Sequence, residues 1–435
     1  MTVLPNNDSS CGWVETLSPR KAKPALTQNK RAKWVVIGAG YSGLSAALTL
    51  AEQLPDEEIV LIDANRAGEG ASSRNSGYLV DSTLNDGHLS DTGLTAYKTK
   101  YDLNLKAIDC VRALTEKYNI DCQWNPCGKY HASADLATET KLRNFNKLLT
   151  SLNINNDFIQ GEQLASQLGT DFYKMAVKTQ GGVMLQPAAL ARGMLNALPA
   201  NVTLYENTPV TAIKKGSPHT ISCEKGELIA DKLIVCVNGF MPSLGIKKNR
   251  VFPLLLTASL TRTLTHQEQQ KMNFVDEWGV LSANAMGATL RYTQDKRLMI
   301  RNTAEVSSSL QLNKAALAKR QKTHLMGLHK RFNFLPADIF QYCWSGVTCI
   351  SANNANVFER LSSNYWAVGC YNGGGIGLAT LFGQQIAYQA MDKPEPVAQL
   401  IYQRPQASWL PPQPFLNLGI RVRLSIDRRG AKGDN

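Results

Sequence analysis

Residues 33–63 read KWVVIGAGYSGLSAALTLAEQLPDEEIVLID, and this stretch decides the fold. An apolar segment, Val35 to Ile37, runs into Gly38, Gly40 and Gly43 in the spacing G-x-G-x-x-G. An amphipathic stretch from Leu44 to Gln53 follows, and a second apolar segment, Ile59 to Ile62, ends on Asp63. The order strand, tight glycine turn, helix, strand and terminal carboxylate predicts a dinucleotide-binding βαβ unit. Gly38 permits the sharp exit from the strand, Gly40 lets backbone approach a pyrophosphate, and Gly43 lets helix pack closely on strand. The helix N-terminus offers free N–H groups and a partial positive charge to the phosphates. Asp63 is placed to accept hydrogen bonds from the ribose hydroxyls of an adenosine. A purely structural glycine turn explains the glycines but not the acidic residue that follows them at the right distance.

The chain has 435 residues, 43% of them apolar and 19% charged, which suits a soluble globular protein of two intertwined domains. No apolar run reaches the roughly 18–20 residues of a membrane span, and the polar opening around Asn6 to Ser10 gives no expectation of a secretory signal. The net charge of +12 suggests nucleic acid until it is located. Residues 1–33 and residues 400–435 each hold six basic and two acidic side chains, +4 per tail, which leaves +4 for the whole body. No nucleic-acid partner is therefore expected; solvated tails, or a protein partner docked on them, fit better. Nine cysteines without a C-x-x-C pair read as reduced thiols in the cytoplasm. No metal-ligating set is assigned.

Residues 1–32 are polar and read as a basic arm that drapes over the fold or stays mobile. The small-residue stretch 68–77, GEGASSRNSG, lets backbone pass close to a ligand, with Arg74 able to reach a phosphate or carbonyl. Helical pattern dominates from Gly93 to Leu168 around a strand at Lys129–Ser133, and Pro187 opens a helix to Leu198. Strands are predicted at 202–206, 209–214 and 231–237, and those around 252–262, 287–292 and 297–301 suggest a second, antiparallel sheet. The fold class is therefore α/β: a Rossmann-like domain with a central parallel sheet (33–95, 182–245 and 340–395) interleaved with an α+β substrate domain (96–181 and 246–339). A basic C-terminal tail, 396–435, closes the chain.

Near that end the opening grammar recurs: an apolar strand at Trp366 to Val368, a glycine cluster at Gly373, Gly374, Gly375 and Gly377, and a helix from about Leu378. A helix start of this kind stabilises negative charge on a ligand, such as the N1–C2=O edge of a reduced flavin. From composition alone, close helix-on-sheet packing explains the cluster equally well.

With these motifs the chain resembles the FAD-dependent amine and amino-acid oxidoreductases of the D-amino-acid oxidase superfamily, which includes glycine and sarcosine oxidases. The resemblance spans roughly residues 33–395 and rests on ordered motifs: VVIGAGYSGLSAALTLAE (35–52), GEGASSRNSGYLVDS (68–82), IDCQWNPCGKYHAS (120–133), GGVMLQPAALARG (181–193), ENTPVTAI (206–213), DKLIVCVNGF (231–240), LRYTQDKRLMI (290–300), YCWSGVTC (342–349) and GCYNGGGIGLATLFGQQIA (369–387). It implies that Gly38, Gly40, Ser42 and Gly43 hold the pyrophosphate of an FAD, with Asp63 and Ala64 at the ribose. It also implies that Ala71, Ser72, Ser73, Arg74, Asn75 and Gly77 line the path to the flavin. Val210 would meet the adenine, Asn238 and Gly239 would close over the cofactor, and Gly373, Gly374, Gly375 and Ile376 would face the isoalloxazine.

The departures bear on the substrate. Relatives commonly read G-[FY]-S-G-H-G where this chain has Cys370-Tyr371-Asn372-Gly373-Gly374-Gly375, and sarcosine-oxidase-like members carry a carboxylate-gripping lysine near the position of Gly377. Putrescine-type relatives place a glycine run where this chain has Arg301-Asn302-Thr303. A different pocket, and so a different amine, is expected. The resemblance implies oxidation of a C–N bond by hydride transfer to flavin N5, hydrolysis of the imine, and reoxidation by oxygen or another acceptor. Pocket candidates are Arg291, Tyr371 and Trp344, with Tyr292 and Arg301 beside them; Arg291 and Arg301 would hold a carboxylate if they point inward. The flavin is expected to be non-covalent, with Cys343 and Cys349 as the thiols that would attach it otherwise. Oxidation of a 2-hydroxy acid, and a flavoprotein that serves a protein partner, remain open as alternatives.

Overall fold

A computed structural model describes residues 4, 5, 7, 11–84 and 91–435 of the chain. Two eight-stranded sheets organise them. In the first, strands Tyr365–Gly369, Gly226–Val235, Lys30–Ile37, Ile59–Ile62 and Val202–Tyr205 lie in that spatial order and run parallel. All four residues of Ile59–Ile62 are buried, as a parallel strand covered on both faces must be. Helices Tyr41–Gln53 and Gly375–Ala390 pack together on one face, their Leu44, Leu48, Phe382 and Ile386 sharing a core with Trp34, Val36 and Leu61. The first glycine turn shows why this packing is so close. Gly38 has φ of +96°, and a Cβ on Gly43 would lie 1.6 Å from the Gly38 carbonyl oxygen.

The second sheet runs Phe340–Ser351, Val251–Thr261, Leu298–Glu305, Thr289–Tyr292, Trp278–Ser282, Lys129–Ser133, Met175–Thr179 and Asn156–Gln160. It is antiparallel except where Trp278–Ser282 lies parallel to Lys129–Ser133. The parallel-plus-antiparallel architecture expected from the sequence is the one observed. Two of the expected segment boundaries fall elsewhere. Strand Phe340–Ser351 pairs along its length with Val251–Thr261, so it belongs to the antiparallel sheet rather than to the segment 340–395. Helix Asp91–Lys117 sends Leu103, Ala107, Ile108 and Val111 into the core of the parallel-sheet half, away from the segment 96–181. The helix after the second glycine cluster starts at Gly375 rather than Leu378.

Both tails fold back onto the body. Cys11 and Trp13 are buried against Ala188, Leu260, Met299 and Trp344. Arg20 reaches a fully buried Glu206, donating to Oε2 at 2.9 Å, and the Lys23 and Ala67 amides donate to the same carboxylate. At the other end, helices Val397–Tyr402 and Phe415–Gly430 precede a buried Asp434. Its carboxylate accepts from Ser133 Oγ at 3.0 Å, Ala134 N at 2.8 Å, Ser282 Oγ at 2.8 Å and Asn284 Nδ2 at 2.9 Å.

Burial works to raise the pKa of Glu206, but Arg20 and the two amides overcome it and hold the carboxyl below its usual 4.5. A carboxylate depressed on folding lends stability above its unfolded pKa and loses it as pH falls through the folded value. Replacing Arg20 with alanine leaves that charge buried on two amides alone and should lower the unfolding free energy by about 3 kcal/mol near pH 7. Denaturant titrations should show the difference between parent and variant shrinking below pH 4.5; a difference independent of pH would contradict the assignment.

Candidate active site

A cavity of about 610 Å³ opens beyond the carboxyl ends of the parallel strands and extends under the antiparallel sheet. Crevices in open α/β sheets form at this edge, where neighbouring strands send their connections to opposite sides. One end is walled by Asp63, Ala64 and Val210, with Leu4, Pro5 and Asn7 of the arm over them. The middle is walled by Gly38, Gly40 and Ser42, then by Ala71, Ser72, Arg74 and Asn75. Next come Asn238 and Gly239, and the second glycine turn with Tyr371, Gly373, Gly374, Gly375 and Ile376. The far end is built by the antiparallel sheet.

Two helix starts face this one cavity. Gly40 is the N-cap of Tyr41–Gln53 and Gly374 that of Gly375–Ala390, and neither glycine has a side chain to cap its helix, although Ser72 Oγ accepts from Tyr41 N at 2.9 Å. Each presents orphan N–H donors and the positive end of a helix dipole. A Cβ on Gly40 would sit 2.8 Å from Ser72 Oγ, so the lack of a side chain is what keeps the first cradle open. The two turns are tied together. Ser42 Oγ and Tyr371 OH are 2.5 Å apart, Cys370 N donates to Asn238 Oδ1 at 2.9 Å, and Ser351 N donates to Asn372 Oδ1 at 2.9 Å.

Asp63 accepts from Ala39 N at 2.7 Å and Asn65 N at 2.9 Å. Burial pushes its pKa up to about 6 against those two amides. A carboxylate short of water beside the cavity is well suited to accept from ligand hydroxyls.

Five residues singled out from the sequence lie outside the cavity wall. Gly43 serves helix-on-strand contact. Ser73 is buried, its hydroxyl donating to the Gly68 carbonyl. Gly77 packs on the Arg291 guanidinium. Arg291 is itself fully buried, paired with Glu277 at 2.7 Å and donating to the Leu185 carbonyl at 2.5 Å. Trp344 is buried in an edge contact with Trp13 and donates to the Arg74 carbonyl at 3.2 Å. Tyr292, also weighed, lies in the core of the antiparallel sheet.

Arg301 does line the cavity. It donates to Thr289 Oγ1 at 2.7 Å, and burial lowers its pKa below the usual 12.5. His131, on Lys129–Ser133, reaches the same wall and was missed in the sequence. Among the described residues neither of its ring nitrogens has a hydrogen-bond partner. Burial, reinforced by Lys129, drops its pKa to about 3, so the ring is neutral. The only sequence signal was a histidine within a short predicted strand, Lys129–Ser133, and such a histidine more often marks a core position. Lys100 also faces the cavity, its pKa lowered to about 7 by burial and by Arg404.

The family model for FAD dependent oxidoreductases (DAO) matches residues 33–389. The chain is 27% identical over 369 residues to the gamma-glutamylputrescine oxidoreductase of Escherichia coli strain K12, covering 81% of this chain and 82% of that one. It is 25% identical over 392 residues to the probable oxidoreductase OrdL of Rhizobium meliloti, with 88% of each chain covered. Its fold is similar to that of glycine oxidase from Geobacillus kaustophilus, with a TM-score of 0.69 at 16% identity over 84% of this chain and 96% of the other. The cavity fits an FAD: a carboxylate for ribose hydroxyls at one end, two helix starts with glycine N-caps for negative charge, and a connected volume between them. Neither Cys343 nor Cys349 lines it.

Gly40→Val fills the first cradle without forcing a left-handed backbone, because Gly40 has φ of −81°. The variant should purify folded by circular dichroism but without the flavin absorbance band. Full yellow colour would contradict the assigned diphosphate site.

Proposed function

This chain belongs to the DAO family of FAD dependent oxidoreductases, and from that premise we propose that it oxidises the C–N bond of a small amine that carries a carboxylate. Bound FAD supplies the hydride acceptor. The chain's own residues supply position and charge. Arg301 carries the reading: it is a cation on the substrate wall with one bond to Thr289 and no ion pair among the described residues. An entering carboxylate gives that desolvated guanidinium a bidentate, charge-assisted partner. Asp63 is the one carboxylate on the described lining, and it belongs to the opposite end. A diamine lacking an acid group thus finds no counter-charge where Arg301 stands. An amino acid, an N-alkyl amino acid or an acylated amine with a carboxylate does find one, and the glutamyl amide named for the E. coli relative is of this kind.

His131 contributes a neutral imidazole on a water-poor wall, able to accept a hydrogen bond from a proton-bearing substrate group. Thr289 holds Arg301 in place, and His324 supports the wall from behind through Ser259 Oγ at 2.7 Å. The same carboxylate anchor would serve a 2-hydroxy acid, which keeps that alternative in the test. Oxygen or another acceptor would then regenerate the cofactor. Thiols buried in apolar surroundings, such as Cys236, Cys349 and Cys370, support a reducing compartment, the cytoplasm.

Anaerobic titration of the holoenzyme with amino acids, N-methyl amino acids, carboxylate-bearing acyl amines, simple diamines and 2-hydroxy acids tests this directly. Carboxylate-bearing amines should bleach the flavin, and Arg301→Ala should raise their KM roughly 10- to 100-fold with a much smaller change in kcat. Bleaching by simple diamines with equal KM in parent and variant would contradict the anchor. Bleaching by hydroxy acids alone would select the other chemistry.

A further inference from the structure

The C-terminal helix Phe415–Gly430 has two apolar faces, and only one is covered. Ile420 and Leu424, with Ala431 beyond, pack on Met286, Ala304, Leu254 and Leu256. On the opposite side Phe415, Leu418, Val422 and Ile426 form a stripe at helical spacing, each more than half exposed. A run of four exposed large apolar side chains is not what a solvated helix presents. Arg421 and Arg423, both exposed, flank the stripe on its two sides, and Arg428, Arg429 and Lys432 follow. From Trp409 to Gly433 the chain carries five basic residues against the single acid Asp427, for a net +4. Trp409 itself is 61% exposed, on the proline-rich segment leading into the helix.

We propose that this helix docks the enzyme on the surface of an anionic phospholipid bilayer, with its apolar stripe in the acyl boundary and its arginines at the phosphates. The charge pattern selects this occupant. Arginines on both flanks of an apolar stripe extend their stems along it and place their guanidinium groups at headgroup depth. A second copy of the helix would bring like charges together instead. With 16 residues and several arginines the helix lies on a membrane rather than across it. Among the described residues no helix is long and apolar enough to cross one.

Docking has a consequence for the cavity. Met286, Ala304, Leu254 and Leu256 beneath the helix are also cavity-lining residues, so the substrate end would lie about one helix diameter, roughly 10 Å, from the lipid. Arg428 donates to the Ala304 carbonyl and Asp434 anchors the chain beyond, so the helix is held to that wall.

The test is co-sedimentation of the full holoenzyme with vesicles of phosphatidylcholine alone or with roughly one-third phosphatidylglycerol. Binding should be at least about tenfold stronger to the anionic vesicles and should fall in about 0.5 M salt. The double variant Leu418→Glu with Val422→Glu should lose binding while keeping flavin content and turnover, since both side chains are exposed and outside the cavity. Arg421→Glu with Arg423→Glu should reduce binding to the level of neutral vesicles. No preference for anionic vesicles, or unchanged binding by the Leu418/Val422 variant, would overturn the proposal. So would size-exclusion evidence that the parent is an oligomer which the same substitutions dissociate, because the stripe would then be covered by a second copy.

Discussion

Two helix starts with glycine N-caps, converging on one cavity, set the terms for the rest of this structure. Each turns glycine and the positive end of a dipole toward the cavity, and at the first only Ser72 Oγ reaches in, to accept from Tyr41 N. A fold does not ordinarily spend two helix termini in this way. The family to which the chain belongs is FAD-dependent, and both turns line the cavity in which such a cofactor fits. The tie between Ser42 and Tyr371 keeps these two positions in register although 329 residues separate them in sequence.

The remainder of the chain holds this arrangement shut. The N-terminal arm bonds the small-residue loop from outside: Trp13 Nε1 donates to the Asn75 carbonyl at 2.9 Å, the Cys11 thiol to that of Ser73, and Gln186 Nε2 to that of Trp13 at 2.7 Å. Arg20 and Glu206 then clamp the arm beside the adenosine end. Arg74 links the same loop to the antiparallel sheet through the Ser345 carbonyl at 2.9 Å. The cavity wall is thus placed by elements distant in sequence, Arg301 among its residues.

What could be read from the sequence was local. G-x-G-x-x-G, its flanking apolar strands and Asp63 form one continuous stretch, and their spacing alone fixes a turn, a helix start and a carboxylate. The second glycine cluster was legible for the same reason, although its first helical residue was placed three positions late. Arg291 and Arg301 show where that legibility ends. They lie on adjacent paired strands, with Thr289 opposite Arg301 and Arg291 opposite Met299. Thr289 and Arg291 share a face of the sheet, about 7 Å apart, yet Trp13, Gly77 and Leu185 cover Arg291 while the cavity opens over Arg301. Which distant segment covers a position is a matter of tertiary packing, not of spacing. Trp344 was misplaced for the same reason, since Trp13 arrives from the arm to bury it, and the tails gave no periodic signal of where they would dock.

Equilibrium binding to the apoprotein decides most directly whether two helix starts and one carboxylate hold a single dinucleotide. Flavin fluorescence would follow titrations with FAD, FMN and riboflavin. FAD should bind with a stoichiometry of one and far more tightly than FMN, because only FAD carries a ribose to Asp63 and a diphosphate to the amides beyond Gly40, and riboflavin should bind most weakly. Equal affinity for FAD and FMN would contradict this reading, since the adenosine end and the first glycine turn would then contribute nothing to holding the cofactor.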